Sequence, residues 1–180
     1  FEHIANAQKV VSQHIIQTPV AYSKVLSEVV GEQIFIKLEN QQITGSFKIR
    51  GAINAISNLT SEQRKAGVVA LSTGNHGRGL AYAAELMKIK CIICMSELVP
   101  QNKIDGIKAL GAEVRLIGTK QDEAQVEADR LSIEEGMTYV SPFDNVDVIA
   151  GQGTLGLEIY KQVPEINFAF IPLSGGGLIC

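Results

Sequence analysis

The chain has 180 residues, of which 46% are hydrophobic and 19% charged, a composition typical of a folded globular protein rather than a disordered or collagen-like one. Its 16 basic and 19 acidic residues give a net charge of −3, with no basic stripe for nucleic acid and no polybasic end for a membrane surface. No apolar run approaches the roughly 18–20 residues that a bilayer-spanning helix requires.

The first third of the chain predicts three helices and one strand. Ser23 and Ser46 each stand just before a helical pattern and are expected to cap it, and Gly31 suits the end of the second helix. Between the first two helices, Thr18-Pro19 forces an extended stretch. Periodicity places the helices at 2–16, 24–30 and 47–57 and the strand at 33–39.

From residue 67 onward, apolar strands alternate regularly with amphipathic helices. This rhythm indicates βαβ units and a parallel sheet that is buried on both faces, so the predicted fold class is α/β. The strands are expected at 67–72, 90–95, 112–117 and 137–140, and the helices at 75–87, 101–110 and 121–135.

The alternation ends after Ser141. A loop is expected at 141–145, a helix at 151–163 and a last strand at 167–173. Because a parallel strand needs helices to cover it, we expect this chain to be a piece of a longer protein or to depend on a partner. We predict a small α/β domain at 61–143 and a larger, truncated domain that is built from 1–60 and 144–180.

Three cysteines are too few, and oddly numbered, for a disulfide framework. Cys91 and Cys94 form a C-x-x-C pattern within a predicted buried strand. Side chains three positions apart on a strand point to opposite faces, so we predict no metal site here; a redox or metal pair is the alternative. The N-terminus lacks the apolar centre of a signal peptide, and a reducing cytoplasm is the expected location.

Lys48 lies one residue inside the third predicted helix, after Gly45 and Ser46. The positive end of the helix dipole disfavours an ammonium there and is expected to lower the pKa of the lysine, which suits an amine that condenses with an aldehyde. Arg50 lies about 200° around the helix, so the two cations need not share a pocket. The alternative is that both residues belong to a solvated basic face.

A polar turn follows the strand at 67–72 and leads into the next helix. In open parallel sheets, ligands bind beyond the carboxyl ends of the strands, and helix N-termini accept anions. Ser72, Thr73, Asn75 and His76 are therefore predicted to hold a small anion such as a carboxylate. The run GNHGRG has the wrong spacing for a dinucleotide fingerprint. For His76, the alternative is a packed or capping imidazole.

Three consecutive glycines, at 175–177, directly follow the last predicted strand. Their conformational cost is explained if they form a nest of backbone N–H groups around a phosphate, where any Cβ would block the approach. No Gly-Lys-Ser/Thr follows, so this is not a Walker loop. A flexible tail is the alternative, and the strand immediately before the glycines argues against it.

Taken together, four stretches resemble the threonine/serine dehydratase and serine racemase family. These are pyridoxal phosphate (PLP) enzymes of the tryptophan-synthase-β-like fold, also called fold type II. The resemblance implies two lobes, each with a helix-covered and mostly parallel sheet, of which the large one is incomplete here. The stretches occur in the family's order and are LENQQITGSFKIRGAIN (38–54), STGNHGRGLAYAA (72–84), SPFDN with IAGQGTLGLEI (141–145 and 149–159) and PLSGGGL (172–178).

The resemblance implies a role for each matching residue. Lys48 would bind the cofactor aldehyde covalently and later remove the α-proton of the substrate. Phe47 would pack near the cofactor ring, and Asn75 would hydrogen-bond the 3′-oxygen of that ring. The phosphate would be cradled by Ser174, Gly175, Gly176, Gly177 and the Leu178 amide. The substrate carboxylate would be received by Ser72, Thr73, Asn75 and His76.

Two residues depart from the family pattern. Thr73 stands where dehydratases commonly carry Ala and where racemases carry a Ser that serves as a second acid/base. Thr73 keeps a hydroxyl but adds a methyl, so it neither excludes nor supports racemisation, and it is the second candidate catalytic residue after Lys48. Ser174 replaces the first of the usual four glycines, and its hydroxyl suits the phosphate provided that the backbone does not need a positive φ.

The activity implied by the resemblance is β-elimination of a β-hydroxy amino acid such as threonine or serine, giving a 2-oxo acid and ammonia. A dehydratase of hydroxyectoine utilisation falls within this class, and a homodimer is expected. One alternative is an amino-acid racemase. The alternative of another class is a non-catalytic phosphate- or nucleotide-binding α/β module. Neither nucleic acid nor membrane is an expected partner.

Overall fold

The computed structural model describes all residues from 1 to 180, and it contains eight α-helices and six strands. A single turn of 3₁₀ helix lies at Glu39–Gln41. The helices are α1 (Glu2–Val11), α2 (Lys24–Val30), α3 (Lys48–Ser57), α4 (Ser61–Ala66), α5 (Asn75–Leu86), α6 (Gln101–Lys108), α7 (Gln121–Glu134) and α8 (Val146–Gln162). The strands are β1 (Val20–Tyr22), β2 (Phe35–Lys37), β3 (Val68–Leu71), β4 (Cys91–Met95), β5 (Glu113–Leu116) and β6 (Thr138–Tyr139).

Four of the strands form one parallel sheet in the order β5-β4-β3-β6. Each neighbour pair is parallel, because a helix carries the chain back between successive strands. The α/β fold class is therefore confirmed. Strands β1 and β2 pair separately and antiparallel, so the only strands of the larger predicted domain are those of this two-stranded ribbon. The domain boundaries stay a prediction, since α3 packs against helices of both proposed domains.

Alternating side chains of β3 and β4 enter two separate cores. Val68, Cys91 and Ile93 join the larger core, which α5 and α6 cover, whereas Ile92 and Cys94 join the smaller core beneath α7. All five residues of β4 are buried, which explains its uninterrupted apolar sequence. The two cysteines of the C-x-x-C pattern thus lie on opposite faces, as predicted, and both are free.

Helix α3 is the most enclosed helix around the larger core, with residues 49–56 buried. It packs against α5 on one side and α8 on the other. Glycines allow both close approaches. A Cβ on Gly79 of α5 would lie 3.1 Å from the Lys48 carbonyl carbon, and one on Gly151 of α8 would lie 2.6 Å from the Arg50 carbonyl oxygen. The position of Lys48 therefore depends on direct backbone contact between helices.

Replacing Gly151 by alanine is expected to destabilise the protein by about 1–3 kcal/mol, because the new methyl group meets main-chain atoms of α3 that cannot move aside. Gly156→Ala on the same helix is the matched control. A Cβ there meets nothing within 4 Å, so this change is expected to stabilise by about 0.5–1 kcal/mol through helix propensity. Urea unfolding of both variants measures the difference, and equal stabilities would contradict the packing argument.

A buried ionic network joins α3, α8 and the β2 region. Arg50 is fully buried and donates to both carboxylate oxygens of Glu39, at 2.8 Å, and to those of Glu158, at 2.7 and 2.9 Å. Lys37 Nζ donates to Glu158 at 2.7 Å and to the Thr18 carbonyl oxygen at 2.7 Å. Two cations and two carboxylates thus neutralise each other, and the alternative of a solvated basic face is wrong for Arg50.

Tertiary contacts change the predicted elements at the N-terminal end. Helix α1 ends at Val11 rather than at residue 16. The Gln42 side chain accepts a hydrogen bond of 3.2 Å from the Ile16 N–H and donates one of 2.5 Å to the Ile16 carbonyl oxygen. Both backbone groups of Ile16 are thus used outside a helix. Ser23 and Gly31 cap α2 as predicted.

Three helix starts differ from the prediction. Ser46 does not cap α3: Phe47 is the N-cap residue, and the buried Ser46 hydroxyl has no partner. Helix α4 was not predicted, although Thr60 and Gln63 form a capping box at its start. Helix α8 begins five residues before the predicted start, at Val146, because Asn145 accepts hydrogen bonds from the next turn.

The predicted strand at 167–173 is not formed. This stretch has no regular structure, and its aromatic side chains are exposed. The prediction failed because a strand needs a hydrogen-bonding neighbour, and neither sheet extends to this stretch. No helix of the structure is both long and apolar enough to cross a bilayer.

Candidate active site

Three parts of the chain meet at the N-terminus of α3. These are Lys48, a linking segment of residues 140–143 after β6, and a glycine loop of residues 174–178. Lys48 Nζ donates a hydrogen bond of 2.6 Å to the Pro142 carbonyl oxygen. Gly175 and Gly177 pack against Phe143 so closely that a Cβ on either would overlap it. The fold thus joins the amine and the glycine loop through one short segment.

Lys48 lies in an environment that disfavours its charge. Burial lowers the pKa of its amine from the ordinary value of 10.5. The predicted direction is therefore right, and burial is its cause in the folded chain. Nζ also lies 5.2 Å from the centroid of the Phe47 ring, which lines one side of the amine. A larger fraction of this amine is uncharged near neutral pH than of an exposed lysine.

The turn before α5, which we call the asparagine loop (residues 72–76), presents unused donors. Ser72 Oγ accepts hydrogen bonds from the N–H groups of Gly77, at 2.9 Å, and Gly74, at 3.3 Å, so it caps α5 and shapes the loop. The N–H groups of Thr73, Asn75 and His76 donate to no acceptor in the protein. Unpaired donors at a helix N-terminus suit a carboxylate.

His76 is not oriented as predicted. Its imidazole is buried, and Nε2 lies 2.9 Å from the Val140 carbonyl oxygen. Burial, and to a smaller degree the charge of Lys48, lower the pKa of His76 to about 4. The packed-imidazole alternative is therefore correct for the side chain, and only the backbone N–H of His76 remains for a carboxylate.

Each glycine of the glycine loop has its own structural reason. Gly176 has φ = 89°, a conformation that favours glycine, whereas Gly175 and Gly177 leave no room for a Cβ beside Phe143. Ser174 does not adopt a positive φ, so it fits where the family usually has glycine. The backbone N–H groups of residues 174–178 donate to no acceptor in the protein. The loop therefore presents a row of donors suited to a phosphate.

A family profile described as "Pyridoxal-phosphate dependent enzyme" matches residues 11–180. The chain belongs to this family of pyridoxal-phosphate-dependent enzymes. The family resemblance that the four sequence motifs indicated is thereby confirmed, as is its cofactor. A non-catalytic phosphate-binding module finds no support in this membership.

Several relatives of this chain have names that refer to threonine or serine. The L-threonine ammonia-lyase of Thermotoga maritima is 48% identical over 99% of this chain and 44% of its own length. A threonine deaminase structure from Solanum lycopersicum has a TM-score of 0.95 at 42% identity, covering 99% of this chain and 50% of its own. Maize serine racemase has a TM-score of 0.95 at 36% identity, covering 99% and 54% respectively. The chain thus spans about half the length of these relatives.

The residues of this chain fit pyridoxal phosphate on three structural grounds. A half-buried amine with a lowered pKa suits covalent attachment of an aldehyde. The glycine loop presents unpaired N–H groups for the phosphate, in a space that a Cβ would fill. Phe47 flanks the amine, and the exposed Asn75 side chain makes no hydrogen bond within the protein. Lys48, Phe47, Asn75 and residues 174–178 are thus the candidate cofactor contacts.

The linking segment was missed as part of the site. SPFDN was recognised as a motif, but its contact with Lys48 is made by a main-chain carbonyl, which no side-chain pattern reveals. The usable signal was position, because the segment follows the carboxyl end of β6, where parallel sheets build their sites. No group of three or more metal-ligating side chains converges in the structure.

Proposed function

We propose that the full-length protein is an ammonia-lyase that eliminates water from a β-hydroxy amino acid such as threonine or serine, giving a 2-oxo acid and ammonia. The observation that carries this proposal is the half-buried Lys48 amine, which contacts the linking segment beneath the donor-rich glycine loop. The named threonine ammonia-lyase and deaminase relatives support the same class of substrate.

The residues of this chain divide the work between anchoring and proton transfer. When bound, pyridoxal phosphate supplies an aldehyde for amines and a conjugated ring that delocalises the electrons left at Cα. Lys48 serves as the base that takes the α-proton. Burial lowers the pKa of its amine, so a larger fraction of the amine is uncharged and can accept that proton. The N–H groups of Thr73, Asn75 and His76 orient the substrate carboxylate, while the glycine loop anchors the phosphate.

The test is a product assay with the full-length enzyme. Incubation with L-threonine or L-serine is expected to release the 2-oxo acid and ammonia in equal amounts, faster than either enantiomer is converted to the other. Coupled detection of the 2-oxo acid and chiral chromatography of the remaining amino acid measure both rates. D-serine accumulating faster than pyruvate would overturn the lyase assignment.

A serine-type racemase is the second candidate, because Thr73 has a hydroxyl without a protein hydrogen-bond partner and because maize serine racemase is structurally similar. If that hydroxyl served as a second acid/base, Thr73→Ser would be expected to raise racemisation and Thr73→Ala to lower it. For a lyase, we expect the two variants to differ little in their rates of 2-oxo acid release. The rates of racemisation and of 2-oxo acid release in these two variants thus separate the two candidate functions.

Three finer properties stay proposals that rest on the sequence. These are a homodimer, a cytoplasmic location, and the hydroxyectoine-utilisation subclass as the physiological setting. Sedimentation of the full-length enzyme tests the first of them.

A further inference from the structure

The linking segment is held from three sides. His76 contacts the Val140 carbonyl oxygen at 2.9 Å, and Lys48 donates to the Pro142 carbonyl oxygen at 2.6 Å. Phe143 lies beneath the glycine loop, in contact with Gly175 and Gly177 through its ring and main chain. This four-residue segment thus contacts the imidazole, the amine and the glycine loop at the same time.

The contact with Val140 determines the tautomer of His76. A main-chain carbonyl oxygen only accepts hydrogen bonds, so Nε2 of His76 must carry the proton and donate. Nδ1 is then an unprotonated acceptor, and it is buried without a partner in the protein. A second proton on this ring would place a buried cation near Lys48, and the pKa of about 4 is consistent with a neutral imidazole.

We propose that His76 is a positioning residue, whose Nε2–H holds the Val140 carbonyl and thereby sets where the Pro142 carbonyl meets Lys48 Nζ and where Phe143 supports the glycine loop. This inference rests on the proposed function, because the proposed function is what assigns Lys48 to catalysis. It goes beyond that function by giving the His76 side chain a task away from substrate and cofactor.

The mechanism of this positioning lies in the acceptor of the amine. The Pro142 carbonyl oxygen is the only protein group to which Lys48 Nζ donates. Without the hydrogen bond from His76, Val140 keeps only the bond from its N–H to the Val69 carbonyl oxygen, at 2.9 Å. The carbonyl side of the linking segment is then released, and the resting position of the amine changes with it. Residues that orient a reacting residue without contacting the substrate typically contribute about 10–100-fold to affinity or rate.

Three variants of the full-length enzyme distinguish the effect of the Nε2 hydrogen-bond donor from the effect of the ring's volume. His76→Gln places an amide N–H at the same number of bonds from Cβ as Nε2 and can still reach Val140. His76→Asn places its amide where Nδ1 stands, and His76→Leu has no donor at all. We expect kcat to fall about 10–100-fold in H76L and H76N, with a smaller change in KM. The kcat of H76Q is expected to exceed that of H76L by about tenfold.

A second readout needs no turnover. Equilibrium titration of the apo variants with pyridoxal phosphate, followed by cofactor absorbance, is expected to show weaker binding in H76L and H76N than in H76Q, because the support under the glycine loop is lost. In the ¹⁵N spectrum of the full-length apo enzyme, His76 is expected to show a protonated Nε2 and an unprotonated Nδ1 at neutral pH.

Three results would overturn the inference. These are equal kcat and equal cofactor affinity in H76Q and H76L, losses that follow only the melting temperatures of the variants, or a proton on Nδ1. Each of them leaves the proposed function intact, provided that the wild-type enzyme releases 2-oxo acid. Failure of the proposed function would instead appear in the wild-type product assay, whatever His76 does.

Discussion

Replacing Lys48 by alanine in the full-length enzyme is expected to lower kcat by about 10³-fold or more, since the change removes the residue that we propose both as the covalent anchor of the cofactor and as the base. The structure supports this size of effect because no other lysine contacts the linking segment. The measurement is the rate of 2-oxo acid release from L-threonine, with saturating pyridoxal phosphate.

Lys48→Arg is the matched control for this prediction. Arginine keeps a positive charge and can still reach the Pro142 carbonyl, but its guanidinium stays protonated and cannot act as a nucleophile or base at neutral pH. We therefore expect K48R to be as inactive as K48A while keeping near wild-type stability.

Chemical labelling identifies the attachment site independently of rate. Borohydride reduction of the wild-type holoenzyme, followed by peptide mapping, is expected to place the reduced cofactor on Lys48, and K48R is expected to carry no such label. A cofactor adduct on a different lysine of the wild-type enzyme would overturn the assignment.

The second large effect concerns stability. Glu158→Gln is expected to destabilise the protein by about 3–5 kcal/mol, because it leaves the buried Arg50 and Lys37 with one carboxylate between them. The loss is comparable to a large part of the roughly 5–15 kcal/mol that stabilises a typical domain. Urea unfolding monitored by circular dichroism measures it in the full-length protein.

Glu134→Gln is the matched control, because Glu134 pairs with Arg130 at 3.0 Å on the exposed face of α7. Water screens that ion pair, so its removal is expected to cost less than about 0.5 kcal/mol. Equal losses of unfolding free energy in the two variants would contradict the argument that burial makes the Glu158 network stabilising.

The same network predicts a dependence on pH. Burial opposes the charge of Glu158, but hydrogen bonds from Arg50 and Lys37 outweigh this, so its pKa lies below the ordinary 4.5. A carboxyl with a lowered pKa stabilises the fold above its unfolded pKa, and this contribution is lost as the pH falls through the folded value. The stability difference between wild type and Glu158→Gln is thus expected to narrow below about pH 4.

The sequence by itself determined the features that depend on local pattern. Apolar strands alternating with amphipathic helices predicted the parallel sheet, and strand alternation correctly separated Cys91 from Cys94. Ser23 and Gly31 marked the ends of α2, since a cap is recognised within a few residues of its helix. The four motifs led to the family, because each combines unusual residue types in a fixed order.

Only the tertiary structure decided how distant residues combine. It buried Arg50 between Glu39 and Glu158, turned the His76 imidazole toward Val140, and brought the linking segment to Lys48. It also left 167–173 without a strand, although the residues there have strand propensity. Local patterns encode which face of an element is apolar. The partner of a buried charge, a carbonyl or a strand edge depends on packing between segments far apart in the chain.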